Sequence, residues 1–579
     1  MHRKIFDCPG RMKSRVVMRY GKAIFFTIFR HISLFSYDPL NNLISQTDPE
    51  GKVTDYQYDT AGRRSVKTTA NGDIWEYNYD NKGNLVEQKD PLGQSTAYMY
   101  NPLGKLTTKV DPAGRVSSYE YDPMGNLVKT VDPARNTTSF QYNALNMLTA
   151  LTDALGQTTQ LQYDFSNRMV KVIDAGGNTT TRNYDVLNQL VSVTNPLGNQ
   201  TAYDYDPTGN LITVKDANNN VTTLSYDDLK KVTGKSDPDG ALTAYQYDQV
   251  GNLIKQTDPL GFSTTYAYDG LNRLISFTDA KGNQTGYQYS PTGSLLKETD
   301  ALGSRSTYQY DLLGNLTSFT DPNGNTRKVT YDSLSRKTME SDPLGNKTTY
   351  EYDPVGNLTK VTDSLGVSRN FQYDLLDNLV KSIDPAGNTT SYEYDPLGRK
   401  TKQTDTLGRS TLYNYDFAGR LTGVTEPREG KTNYQYDPAG NLSEITNALG
   451  KTWKKTYTPL DQLLSELTPS GKETKYSYDV NGRLKEKTDP MGQVSAFEYN
   501  LRGELIKVNY NNQSSDTFDR DELGNITKAG YPNGSEEYTH DALNRITKQV
   551  MSNGKTMDLA YDPVGNLTQL TDPEARITA

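Results

Sequence analysis

What this chain lacks narrows its chemistry before anything else is read. It has one cysteine, Cys8, so no internal disulfide framework can form. Its only histidines are His2, His31 and His540, and none lies near other His or Cys residues at metal-ligand spacing. His540 occupies a position otherwise held by tyrosine and reads as a packed substitute rather than a catalytic base. Leu, Ile and Val are sparse, and apolar residues make up 34% of the sequence. That composition alone would suggest disorder, since too little apolar surface is available to offset chain entropy. No apolar run is long enough to span a membrane as a helix; the longest, Ala23 to Phe29, has seven residues. The formal net charge of −8 argues against a groove for nucleic-acid phosphates.

What is present is a repeat, and it is seen most clearly in Tyr119-Glu120-Tyr121-Asp122-Pro123-Met124-Gly125-Asn126-Leu127. Counted from the second tyrosine, the spacing is 21 residues, and all 23 lattice positions from Tyr37 to Tyr499 are tyrosine. Arg520 takes the next position, one residue is then deleted, and His540 and Tyr561 close the series. A period of this length marks an array of small stacked units. The 42 tyrosines argue against disorder, because a regularly placed Tyr supplies apolar area and keeps a polar tip.

Four residues after the lattice tyrosine, 16 of 26 copies carry Gly and eight more carry Asn or Asp, as at Asn146, Asn272 and Asp377. These residues tolerate a left-handed backbone. Lys230 and Ser335 are the exceptions. With Asp122 and Pro123 ahead of Gly125, the pattern predicts a type I turn closed by a left-handed residue, the turn of an antiparallel hairpin. A second turn lies half a period on, as in Asp111-Pro112-Ala113-Gly114, Asp258-Pro259-Leu260-Gly261 and Asp342-Pro343-Leu344-Gly345; 21 of 26 copies keep its glycine. Arg135, Asn219, Glu429, Gln513 and Ala575 replace it. Between the turns lie segments of about six residues rich in Thr, Tyr, Val and Leu, which predict strands. Tyr98 and Tyr100 are two apart and share a face. Two Pro/Gly turns per period leave no room for a helix.

The expected fold is therefore all-β: about 26 consecutive β-hairpins in one array. Fifty-two strands at roughly 4.8 Å each would make a sheet about 250 Å long, and right-handed twist would wind it into a spiral. The array is expected over residues 32–579, regular to about 508 and irregular over 509–540. A bulge or bend is expected where the deletion precedes Tyr538. Residues 1–31 form a non-repeat leader. The first 36 residues hold eight Lys or Arg against one acid, Asp7, which leaves about −15 on the remainder. Two readings of that leader stay open: a signal-like or membrane-surface segment, and a plain leader outside the array. Membrane contact is expected at most through residues 1–36.

Acidic pairs occur throughout the Asp-Pro turns, so no single pair stands out as a glycosidase site. The alternate-residue oxygen ligands of a calcium loop are missing, and turn capping accounts for Asp122 and Asp258. No glycine opens a helix in the manner of a phosphate loop. No cofactor, metal or enzymatic activity is expected. The residues singled out are structural: Tyr119, Tyr121, Asp122, Pro123, Gly125, Asn126, Leu127, Asp258, Pro259 and Gly261.

The alternation of Tyr-Asp-Pro-x-Gly-Asn-Leu with Thr-Asp-Pro-Leu-Gly resembles the YD repeats of bacterial RHS proteins, wall-associated contact toxins and the shell of animal teneurins. The resemblance covers about residues 32–579. It implies a spiral sheet wound into a hollow shell, extracellular or at the cell surface, enclosing a polypeptide cargo that in bacterial members is a C-terminal toxin. The family's core segment and a toxin-like tail are not recognisable, and the array ends inside a repeat. A scaffold separated from its downstream part, or associating through its C-terminal edge, is the expectation. The alternative is a surface adhesin that binds glycans through exposed Tyr and Asp.

Overall fold

A computed structural model describes residues 33–578, apart from Glu429, Asn512, Pro573 and Ala575. The readings of the leader, of Glu429 and of Pro573 lie outside these residues. Every element in the described part is a β-strand: 53 of them, numbered here in chain order from β1 (Leu34–Tyr37) to β53 (Ile577–Thr578), in one sheet. Each strand pairs antiparallel with its sequence neighbour, so the sheet is one continuous meander with no crossover.

One repeat shows the construction. β9 (Val116–Tyr121) and β10 (Leu127–Val131) flank the first turn, and β11 (Thr137–Tyr142) follows the second. Leu127 pairs with Tyr121 and Lys129 with Glu120, so the register slips by one residue at the turn. That slip is the bulge which a type I turn plus a left-handed residue imposes. All 26 first-turn positions have positive φ, from 59° at Asn146 to 103° at Gly356 and Gly440, with Gly125 at 86°. Lys230 and Ser335 adopt it as well, at 62° and 61°, as do Arg135, Asn219 and Gln513 in second turns. The ladder on either side over-determines the turn, so a side chain that disfavours the left-handed region is held there at about 1 kcal/mol.

The deletion is resolved differently from the expected bulge. β48 (Ile526–Tyr531) and β49 (Gly534–His540) pair without any register shift, and Tyr531 faces Gly534 directly. The missing residue is taken from the turn, which shrinks to Pro532-Asn533, and the side-chain alternation of the strands survives. Shortening a loop leaves every strand residue on its own face, whereas slipping a strand would turn all of them over.

Tyr119 and Tyr121 are half-buried on one face, and Glu120 between them is exposed on the other. No second layer covers either face. Among the described residues the only buried apolar ones are Ala150, Ala241, Val508 and Ala529, and no large side chain is fully buried. The accessible surface of 35018 Å² compares with about 20,000 Å² for a compact monomer of this mass. Hydrogen-bonded ladders, tyrosine rows and turns take the place of a core.

The sheet nevertheless returns upon itself. Asp239 meets Asn481 and Arg483, Arg115 meets Asp377, and Asn323 meets Asp562, pairs 239 to 262 residues apart. One winding therefore takes about eleven and a half to twelve and a half repeats. Some 24 strands at roughly 4.8 Å give a circumference of about 115 Å and a backbone diameter of about 37 Å. The described array completes about two windings, stacked rim on rim.

Candidate functional site: the turn rows and the seam between windings

The residues singled out from the sequence fall in one recurrent unit. Asp122 N–H donates to the Asn126 carbonyl at 3.0 Å, and Gly125 N–H donates to the Asp122 carbonyl at 3.0 Å. The Asp122 carboxylate accepts from Asn126 twice, from its backbone N–H at 2.8 Å and its side-chain amide at 2.9 Å. Those bonds, the Asn126 amide foremost, hold the Asp122 carboxyl below its usual range. Pro123 sits where the turn has no use for an N–H. The Asn126 amide also donates to Asn146 at the next first turn, 2.9 Å away. In the second-turn copy, Asp258 accepts from the backbone of Leu260 and Phe262 at 2.9 Å each, and Gly261 closes the turn at φ 90° beside Pro259.

Leu127 and the lattice tyrosine carry a link between repeats. Beyond Lys129–Ser139 the ladder between β10 and β11 stops, and the Tyr142 hydroxyl donates to the Leu127 carbonyl at 3.0 Å. The same bond, from a tyrosine to the carbonyl 15 residues earlier, recurs from Tyr58 to Tyr561. A carbonyl left unpaired at the bulge is thereby satisfied. Arg520 stands at the tyrosine position and takes over, with Nε and Nη2 donating to the Leu505 carbonyl at 3.2 and 3.1 Å. Where Asn126 is replaced by Arg, one guanidinium does three jobs. Arg63 pairs with Asp59, donates to the Asp80 carbonyl at 2.7 Å and lies 4.9 Å over the Tyr79 ring. Arg168 repeats this on Asp164, Asp185 and Tyr184.

The seam is where the structure brings together residues the sequence reading left unassigned. Second turns of one winding meet first turns of the next. Arg115 donates to Asp377 at 2.7 Å and to the Leu375 carbonyl at 3.2 Å. Arg483 reaches Asp239 at 3.0 Å, and Arg502 reaches Asp258 at 3.1 Å while lying over Phe262. Lys281 pairs with Asp521. Glu50 accepts from the Thr292 backbone and hydroxyl; burial pushes its carboxyl up, but bonds from Ser290 and Thr292 outweigh it and hold it at about 2. Asp258 is thus more than a turn cap.

The tips of the turns pack as well. Leucines at the third residue of second turns are between 39% (Leu260) and 49% (Leu302) exposed through the first winding. Their first-turn counterparts in the second winding, Leu313, Leu334, Leu376 and Leu543, are half-buried. The available sequence signal was leucine recurring in Asp-Pro-Leu-Gly, an apolar side chain at a turn tip with no local partner. A cavity of about 470 Å³ also opens at the seam, lined by Asp216, Lys235, Asp237, Gln462, Arg483 and Arg502 among others.

No three His, Cys, Asp or Glu side chains come together as a metal site among the described residues. His540 lies in β49 opposite Ile546. No helix among the described residues is long and apolar enough to cross a membrane.

The sequence pattern of the teneurin YD-shell family matches residues 157–291, 277–412 and 408–528, more than half of the chain. The chain belongs to the teneurin YD-shell family. The RHS repeat pattern matches residues 37–74, 79–108 and 100–137, so repeats on the N-terminal side carry the same YD signature. No curated protein matches the chain. Among solved structures, TcdB2-TccC3 without its hypervariable C-terminal region aligns over 90% of this chain at 14% identity, with a TM-score of 0.58. The chain spans 38% of the length of that structure. The Tc holotoxin pore of Photorhabdus luminescens aligns over 94% of this chain and 31% of its own, at 16% identity and a TM-score of 0.48. At such identity the first likeness shows the fold alone.

Proposed function

We propose that this chain is a non-catalytic structural shell that encloses and shields a polypeptide, in the manner of the toxin-encapsulating part of RHS proteins used in contact-dependent competition. One observation carries the reading: a single 53-stranded sheet winds round about twice with no layer on either face. Such a wall spends its hydrogen bonds on itself and leaves a lumen roughly 37 Å across at the backbone. The cargo is a polypeptide joined to or supplied with the shell, and the site of action is outside the producing cell.

The tyrosines support a scaffold over a glycan binder. Hydroxyls of lattice tyrosines such as Tyr142 and Tyr394 are committed to backbone carbonyls, and the rings are half-buried in rows along the sheet. Burial pushes the phenols of Tyr100, Tyr247 and Tyr499 up, as expected of rings packed in a wall. The absence of catalysis rests on the residues present: the turn aspartates are engaged in capping, and the one described histidine stands in a tyrosine row.

Small-angle scattering of the purified chain tests the enclosure. The expected distance distribution is that of a hollow cylinder, and that of a flat ribbon or solid rod would overturn the reading. Trypsin digestion of an unstructured segment fused to the C-terminus tests the shielding. Slower cleavage than of the same segment alone is expected, and equal rates would count against it.

A further inference from the structure

The seam between windings is clasped unevenly. Glu50 and Lys52 reach Thr292 and the Asp311 carbonyl, and Arg115 reaches Asp377. Further along, Asp239, Asp258, Lys281 and Asn323 meet Arg483, Arg502, Asp521 and Asp562 in turn. Between these two sets lie five consecutive second turns, opened by Asp132, Asp153, Asp174, Asn195 and Asp216. Among the described residues, none of the five sends a hydrogen bond, ion pair or cation–ring contact across the seam. Elsewhere in the seam no more than two neighbouring second turns lack one.

The sequence accounts for the gap. Clasps come from the third turn residue or from the residue after the turn glycine, as at Asp239, Lys281 and Arg115. Across the five turns those two places carry no charge. The tips are Ala134, Leu155, Gly176, Leu197 and Asn218, each followed two residues on by Asn or Gln. The opposing first turns are also less covered. Phe417 is 64% exposed, against 47% to 51% for Leu312, Leu375, Val480 and Leu501 at the same turn position in clasped repeats. Leu397 and Ala418 are exposed tips, whereas Leu313, Leu376 and Leu523 are half-buried. The seam cavity opens at one end of the gap, with Asp216 on one wall and Leu460 and Gln462 on the other. From the turn of Arg115 to that of Asp239 the stretch covers six repeats. At roughly 4.8 Å per strand that is about 58 Å of seam, half of one winding.

We propose that this half of the seam is a lateral port, through which an extended polypeptide crosses the wall while the clasped half holds the windings in register. Uncharged tips part without leaving an ion unpaired. Every strand-to-strand bond survives the parting, because each hairpin is complete without the seam. A strand with its side chains needs an opening of about 10 Å. The inference rests on the reading of this chain as an enclosing shell.

Spin-label distances from pulsed dipolar spectroscopy test the opening, in a chain carrying Cys8→Ser so that only introduced cysteines are labelled. Leu155→Cys with Leu397→Cys spans the unclasped stretch. Leu302→Cys with Leu543→Cys spans a stretch flanked by the Lys281 and Asn323 clasps. The first pair should give a broad distribution with a population about 10 Å longer, and the second a single narrow peak. Gln157→Arg with Gly419→Asp copies the Arg115–Asp377 pair into the stretch and should remove the long population. Passage is read on the same Cys8→Ser chain bearing an unstructured C-terminal segment with one cysteine, as its rate of reaction with a maleimide-bearing peptide. The double variant should lower that rate several-fold. Narrow peaks from both cysteine pairs, or a slowed rate that the double variant leaves unchanged, would overturn the port and leave the shell standing. Broad distributions from both pairs, or a rate equal to that of the segment alone, would overturn the shell and the port with it. Should the double variant lose its sheet by circular dichroism, Asn178→Arg with Gly440→Asp replaces it, and the same outcomes apply.

Discussion

The second-turn row changes its surroundings abruptly between Leu302 and Leu344. Up to Leu302 the leucine tips are partly covered, at 39% to 49% exposed, and from Leu344 on they stand free, although the local sequence Asp-Pro-Leu-Gly is the same at Asp258 and Asp342. Their strands, turns and capping bonds are alike too: Asp258 and Asp342 each accept the backbone N–H two and four residues on, at 2.9 Å. The difference teaches that local structure in this chain is independent of tertiary environment, as in other quasi-one-dimensional arrays. The tertiary contact is an addition to a hairpin already complete.

The largest effect should therefore come from breaking the seam at a tip. Leu155→Asp, which replaces a tip 40% exposed with a carboxylate beside the next winding, should destabilise the chain by about 1.5 kcal/mol in denaturant melts, through lost apolar burial and partial desolvation of the charge. Leu365→Asp, at the same place on the free rim, should stay within about 0.5 kcal/mol. Equal effects would mean that the seam contributes nothing to stability. The guanidiniums sharpen the same contrast at a smaller scale. Arg115→Ala should cost about 1 kcal/mol because it removes the cross-seam donor to the Leu375 carbonyl and leaves Asp377 only the Asn357 amide. Arg409→Ala, with only its local partner to lose, should be near neutral.

A turn variant should ignore the division altogether. Gly125→Val is expected to destabilise its repeat by about 1 kcal/mol, and Gly125→Asn by less, because φ is 86° there and Asn tolerates that region. The same pair of changes at Gly261, φ 90° in a turn whose Asp258 meets Arg502 across the seam, should give matching values. A clear mismatch would show that the turn feels the seam after all.

The smallest effect concerns acid. The Glu50 carboxyl is depressed from 4.5 to about 2, so its contribution is present above the usual carboxylate range. It is lost as pH falls through that interval, when the folded form must take up a proton. Scattering should show the windings loosening between about pH 4 and 2 while circular dichroism still reports sheet. Glu50→Gln should reduce the pH dependence. Loss of sheet and seam at one pH would remove the distinction between them.

Much of this was legible in the residues themselves. The 21-residue period, the left-handed position after Asp-Pro, and tyrosines two apart predict consecutive hairpins, because each of these is a local preference with a reach of a few residues. The turn at Lys230 was legible only from its neighbours, since the ladder holds that residue at φ 62° against its own preference. The shortened turn at Pro532-Asn533 was not legible, because a deletion can be absorbed in a strand or in a loop and only the packed faces decide between them. The roles of Asp258, Arg115, Arg502 and the turn leucines were hidden for another reason. They depend on the number of repeats in one winding, which is set by small twist angles summed over some two dozen strands. A residue at one turn cannot record a sum taken over the whole sheet. Which turns meet, and which rows stay uncovered, was decided by tertiary structure alone.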